Sequence, residues 1–222
     1  MHLPDGIVNN QTSFSFIAIT VSVSGLAIYK AKDLLWEKTK QVLPQLATNV
    51  GLNLNTNKVI NKIKLKKENI NNALVIFSLI FTIQMVDFIH INGVSGHLIG
   101  SVLAAIFLGP WLGMLTVASV LVLQAVLLGD GGIVALGINI FNMAIVGSIG
   151  GYYLYFCLKK FIKNKYINIA LTSWLSMVLM AIFFHLEVGQ SYSLIFAHML
   201  AGIAEAILTV LLIKYLFTPQ KI

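Results

Sequence analysis

The sequence has 222 residues, 58% of them hydrophobic and only 10% charged, with a formal net charge of +7 and a mean hydropathy of +0.87. A soluble domain carries about 25% charged residues, so a water-soluble globular class is excluded and the bilayer becomes the solvent for the long apolar runs. The surplus positive charge then speaks to membrane topology before nucleic acid, and the single Cys157 excludes an internal disulfide framework and a thiolate metal cluster.

Apolar stretches predict membrane helices over about 12–29, 72–91, 98–109, 110–128, 133–158, 167–186 and 194–217. Residues 1–13 contain no Lys or Arg, and positive charge first follows the first apolar run, at Lys30 and Lys32. This is not the pattern of a signal peptide, and it leaves the N-terminus outside the cytoplasm. Between the first two spans, residues 30–71 are polar and rich in Lys. Stretches such as Val59-Ile60-Asn61-Lys62-Ile63-Lys64-Leu65 predict a basic amphipathic segment on the cytoplasmic membrane surface, or a docking surface for a partner.

The step at 98–128 is either one long tilted helix or two helices separated at Gly109-Pro110, where proline lacks a backbone donor and disfavours helix in the residue before it. Charge decides for two. With a break there, every lysine of the chain falls in 30–71, 159–166 or the C-terminal end; without it, Lys159, Lys160, Lys163 and Lys165 move outside and violate the positive-inside bias. The expected architecture is therefore all-α and polytopic, a single transmembrane domain over 1–222 with seven spans, the N-terminus extracytoplasmic and the C-terminus cytoplasmic.

That topology places all five histidines, His2, His90, His97, His185 and His198, on or near the outer face. Lysine inside and histidine outside is the pattern expected of an extracytoplasmic site for a divalent metal. An unmodified Met1-His2 terminus offers three nitrogens in a row: the Met1 α-amine, the His2 amide nitrogen and the His2 Nδ1. They close a five-membered and a six-membered chelate ring, and a fourth nitrogen completes a square of the kind that suits Ni(II) and Cu(II). The turn-forming run Pro4-Asp5-Gly6 folds the first residues back toward the membrane. His97, in the small-residue loop Gly93-Val94-Ser95-Gly96-His97 on the same face, is the candidate fourth ligand.

Polar residues within the spans are candidates for a supporting shell. Counted inward at about 1.5 Å per residue, Gln124 and Asp87 lie roughly 6 Å deep, Asn139 roughly 9 Å, and Asn142 and Glu205 roughly 15 Å. On the expected boundaries Asp87 and Glu205 are the acids within spans. Glu205 is expected either to hydrogen-bond Asn142 or a neighbouring serine, or to support the ligands without touching the ion. Asp5, His90 and His198 complete the set of supporting or gating candidates.

The motifs Met1-His2-Leu3-Pro4-Asp5-Gly6, Ser95-Gly96-His97-Leu98-Ile99-Gly100, Leu108-Gly109-Pro110-Trp111 and the stretch from Gln124 through Gly129-Asp130-Gly131-Gly132 to Asn139-Ile140-Phe141-Asn142-Met143 resemble the CbiM/NikM family. His198, Gly202 and Glu205 resemble that family's last span. The resemblance implies the metal-capturing substrate subunit of an energy-coupling-factor importer for cobalt or nickel in the inner membrane, with cobalt serving cobalamin biosynthesis. The ion, Co(II) or Ni(II), is cargo held by Met1, His2 and His97, and no permanent cofactor is expected. The implied partners are a transmembrane coupling subunit, cytoplasmic ATPase subunits and a small accessory membrane subunit. The chain itself is not expected to be an enzyme and carries no nucleotide-binding motif. The 30–71 segment departs from the family pattern in length and lysine content. The alternative is a self-sufficient secondary permease or channel, for which a chain of acidic residues across the bilayer and inverted repeats are wanting.

Overall fold

A computed structural model describes residues 2–42, 59–91, 94–189 and 192–215; Met1, the centre of the lysine-rich segment and the C-terminal seven residues lie outside the described residues. Among the described residues the chain forms seven helical bodies. These are α1 (Asn10–Leu35), α2 (Lys67–Gln84), α3 (Ser101–Leu108), α4 (Pro110–Leu128), α5 (Leu136–Leu158), α6 (Lys165–Val188) and α7 (Tyr192–Tyr215). Five of them, α1 and α4 to α7, are long and apolar enough to cross a membrane. This is a multi-pass helical membrane protein, as the composition requires.

The expected break is present. Gly109 stands at φ 83°, a conformation costly for any residue with a Cβ, and Pro110 follows as the first residue of α4, where its missing N–H costs nothing. The eight residues of α3 span only about 12 Å. Seven of them, Ser101 to Ile106 and Leu108, are buried, so α3 is apolar all round and forms the centre of the bundle. Small residues admit it there: a Cβ on Gly113 of α4 would stand 2.8 Å from the Ala104 backbone, and one on Gly147 of α5 would stand 2.8 Å from Ser101. By contrast α1 buries only Ser13, Thr20, Ala27 and Ala31, a single narrow stripe, and lies at the periphery.

Two antiparallel ribbons join helices and were not expected. The first pairs β1 (Trp36–Val42) with β2 (Val59–Leu65), from Trp36 opposite Leu65 to Val42 opposite Val59. The alternating Ile-Lys-Leu pattern there has the two-residue period of a strand rather than that of a surface helix. The second pairs β3 (Asp87–Ile91) with β4 (Val94–His97), placing Asp87 opposite His97 and His90 opposite Ser95. It shortens the second helix from the expected 72–91 to an end at Gln84, because Phe88-Ile89-His90-Ile91 is β-branched and aromatic enough to pair instead. Asp87 therefore stands in a strand, not in a membrane helix.

Candidate metal centre

The first residues are pinned by a segment more than a hundred positions away. The Leu3 N–H donates to Asn139 Oδ1 at 3.0 Å, Asn139 Nδ2 donates back to the Leu3 carbonyl at 3.3 Å, and the Gly132 N–H donates to the same carbonyl at 2.7 Å. Two residues on, the Asp5 carboxylate accepts the N–H groups of Ile133, Val134 and Ala135 at 3.1, 2.8 and 3.0 Å. These amides belong to the bend that leads into α5, so Asp5 holds the approach to a helix to which it is not adjacent in sequence. Gly6, at φ 92°, turns the chain away toward α1, as the Pro4-Asp5-Gly6 run predicts. Leu3 has no exposed surface and anchors the strap in the core.

This strap carries His2 to the inner side of the loop between α4 and α5. His2 is 3% exposed, and its Nδ1 lies 2.8 Å from Asp130 Oδ1. The imidazole of His97 faces it, with ring centroids 4.6 Å apart and planes inclined at 50°. His97 ends β4 and is fully buried. Its Nδ1 donates to the Leu98 carbonyl at 2.7 Å, which leaves the lone pair on Nε2. Among the described residues that buried nitrogen has no hydrogen-bond partner. Burial first, then the positive charge of the N-terminal amine and that of His2, hold the His97 imidazole well below its ordinary pKa. Among the described residues no three His, Cys, Asp or Glu side chains converge as a metal cluster.

The remaining candidates divide. Asn139 and Asp5 hold the strap. Gln124 is fully buried where α4 turns π-helical, and its carbonyl accepts the Asp130 N–H at 3.2 Å, which fixes the turn that presents Asp130 to His2. Glu205 does not meet Asn142. Its two carboxyl oxygens accept the N–H groups of Ile99 and Gly100 at 2.9 and 2.8 Å, because a carboxyl is a better acceptor for two adjacent amides than for one side-chain amide. Asn142 Nδ2 instead donates to Glu187 Oε2 at 2.5 Å. His198 is buried and donates Nδ1 to the Leu194 carbonyl at 2.8 Å, the backbone of its own helix. His185 stands at the end of α6 with its ring 4.6 Å from that of Tyr192. The side chains of Asp87 and His90 lie outside the described residues, as does Met1.

Two acids were missed. Asp130 is one of four residues in Gly129-Asp130-Gly131-Gly132, a composition that reads as a turn and hides an acid aimed inward. Glu187 fell one residue past the expected end of the sixth span, whereas α6 continues to Val188.

Comparison with known proteins identifies the family. Residues 2–221 match the family model CbiM, described as the cobalt uptake substrate-specific transmembrane region. A putative fused nickel transport protein NikMN of Archaeoglobus fulgidus is 30% identical over 227 residues, which cover 97% of this chain and 65% of that protein. A probable fused nickel transport protein LarMN of Lactiplantibacillus plantarum is 28% identical, over 91% of this chain and 52% of that protein. The chain thus spans about half to two thirds of the length of these fused relatives. A crystal structure of a truncated transition metal transporter superposes with a TM-score of 0.78 at 27% identity, covering 97% of this chain and 98% of the other.

Proposed function

Starting from the fact that this chain belongs to the CbiM family of cobalt-uptake substrate-specific membrane proteins, we propose that it captures Co(II) or Ni(II) at the extracytoplasmic face and passes the ion inward as the substrate subunit of an ATP-driven importer. The observation that carries this reading is the buried pair of imidazoles, His2 and His97, with ring centroids 4.6 Å apart and the His97 Nε2 buried without a hydrogen-bond partner among the described residues.

The ligand set is the Met1 α-amine, the His2 amide nitrogen and Nδ1, and His97 Nε2. Four neutral or deprotonated nitrogens in a square suit nickel strongly and accept cobalt, so donor type alone does not choose between them. Loading His2 Nδ1 requires its ring to turn away from Asp130, whose carboxylate then remains beside the ion as a counter-charge. The centre draws half its donors from the terminus and the backbone, which fits a site where only two imidazoles converge among the described side chains.

Orientation follows the charge: the lysine-rich 30–71 segment lies in the cytoplasm and the histidine end of the bundle outside it. ATP hydrolysis belongs to cytoplasmic partners reached through a transmembrane coupling subunit, and a small accessory membrane subunit completes the assembly. Ala18 and Ser22 stand exposed on the peripheral face of α1, small residues that allow another helix to approach closely.

The test is titration of nickel and of cobalt into purified protein in three forms: native, extended by one residue before Met1, and His97→Ala. Both altered forms are expected to lose high-affinity binding, the extended one although no side chain has changed. An extended form that binds as tightly as the native one would sink the terminal chelate.

A further inference from the structure

Glu205 lies on α7, 105 positions from the nearest residue it contacts, and touches no other described side chain in its hydrogen bonds. What it holds is the backbone immediately after His97. The peptide unit joining Leu98 to Ile99 is engaged at both ends: its carbonyl accepts His97 Nδ1 at 2.7 Å, and its N–H donates to Glu205 Oε2 at 2.9 Å. The next unit, joining Ile99 to Gly100, is engaged likewise, with its carbonyl accepting Gln84 Nε2 at 2.7 Å and its N–H donating to Glu205 Oε1 at 2.8 Å. Gly100 permits this by standing at φ 74°, and a Cβ there would be 2.8 Å from Ile80 Cγ1. The carboxyl group is 3% exposed, so water does not compete for it.

A metal-bound imidazole commonly donates its other N–H to a carboxylate, which fixes the tautomer and raises the basicity of the ligating nitrogen. Here the carboxylate and the imidazole are not in contact, but one planar peptide stands between them, donating to the first and accepting from the second. Hydrogen bonds in such a chain polarise one another. The geometry points to Glu205 as the positioning residue of the metal centre, a carboxylate acting on His97 through the Leu98–Ile99 peptide so that Nε2 is held as a strong, correctly aimed donor. Gln84 holds the neighbouring peptide and has no part in that relay.

This inference rests on the reading of His97 as an ion ligand, and the two are separable. Nickel affinity and the visible absorption of the bound ion are to be measured for native protein and for Glu205→Gln, Glu205→Asp, Gln84→Leu and His97→Ala, alongside thermal unfolding of each in detergent. Glu205→Gln is expected to bind nickel about 10–100-fold more weakly, the range of an outer-shell partner, and to shift the absorption band because the ligand field at Nε2 has weakened. Gln84→Leu is expected to unfold earlier but to leave the band in place. Glu205→Asp, which keeps the charge but reaches less far, falls between and decides the matter if the Gln variant does not fold. Native affinity and spectrum in both Glu205 variants, or a band shift in Gln84→Leu as large as theirs, would overturn the relay. If His97→Ala also binds normally, the fault lies instead with the proposed ligand set.

Discussion

His2 and His97 stand face to face, yet the two halves of the site are held by different means. The His2 half is a strap of backbone held at two points: Asn139 brackets the buried Leu3, and the Asp5 carboxylate holds the amides that lead into α5. The first point is buried, and the second lies near the surface, where Asp5 is exposed. The His97 half is buried among helices, its backbone held by Glu205 from α7, with neither His97 nor Glu205 exposed. Exposed hydrogen bonds open at low cost and buried ones with the fold. The Asp5 end of the first half is therefore the part able to open without disturbing the bundle, while the buried Leu3–Asn139 pair and the second half stay fixed.

Substitutions that loosen one half and spare the other sharpen this contrast. The largest effect is expected from Gly132→Ala, because a Cβ there would overlap the Asp5 carboxylate and backbone nitrogen. The strap cannot close, so nickel binding should fall by more than about 100-fold, beyond the outer-shell range. Far-UV circular dichroism should meanwhile report an intact bundle, and a collapse of helicity would show the strap to be part of the fold's foundation. Asn139→Ala removes both bonds to Leu3 and orphans the buried Leu3 N–H, while the Leu3 carbonyl keeps its bond from Gly132. Isothermal titration should show nickel affinity about 10–100-fold weaker, with the unfolding temperature lowered in keeping with the roughly 1–3 kcal/mol that an orphaned buried donor costs. Asp5→Ala removes three hydrogen bonds to the amides that lead into α5, two of them exposed so that water can take their place. Amide exchange over residues 133–135 should accelerate, with a loss of affinity smaller than that of Asn139→Ala. The smallest effect on binding belongs to a buried bond away from either half. Asn168→Ala, which removes a 3.2 Å hydrogen bond to the Tyr155 carbonyl, should cost about 0.6 kcal/mol of bundle stability and leave nickel affinity alone. A change of affinity there would mean that the halves are coupled through the whole bundle.

The sequence made the helices and the two imidazoles of the proposed centre legible, since both are written locally. Apolar runs announce membrane helices, Gly109-Pro110 announces a break, and Met1-His2 and Ser95-Gly96-His97 are compact motifs. What it did not reveal is pairing across distance. Glu205 is legible as a costly buried acid, but the partners the sequence offers it, Asn142 or a neighbouring serine, are side chains, because free backbone amides are not visible there. Asp130 was missed because a turn of glycines gives no sign of which way its acid points. The second helix was carried seven residues too far because β-branched residues near a membrane surface read equally well as helix or as strand.

The Leu3–Asn139 hydrogen bond has a temporal consequence. Chains are made at about 5–20 residues per second, and His2 emerges first, yet the groups that seat it, Asp130, Gly132 and Asn139, arrive only when most of the 222 residues have been made. The Glu205 contact that settles His97 arrives later still. During synthesis the two imidazoles are therefore strangers, and no assembled centre meets a passing ion until Asn139 and then Glu205 have been made.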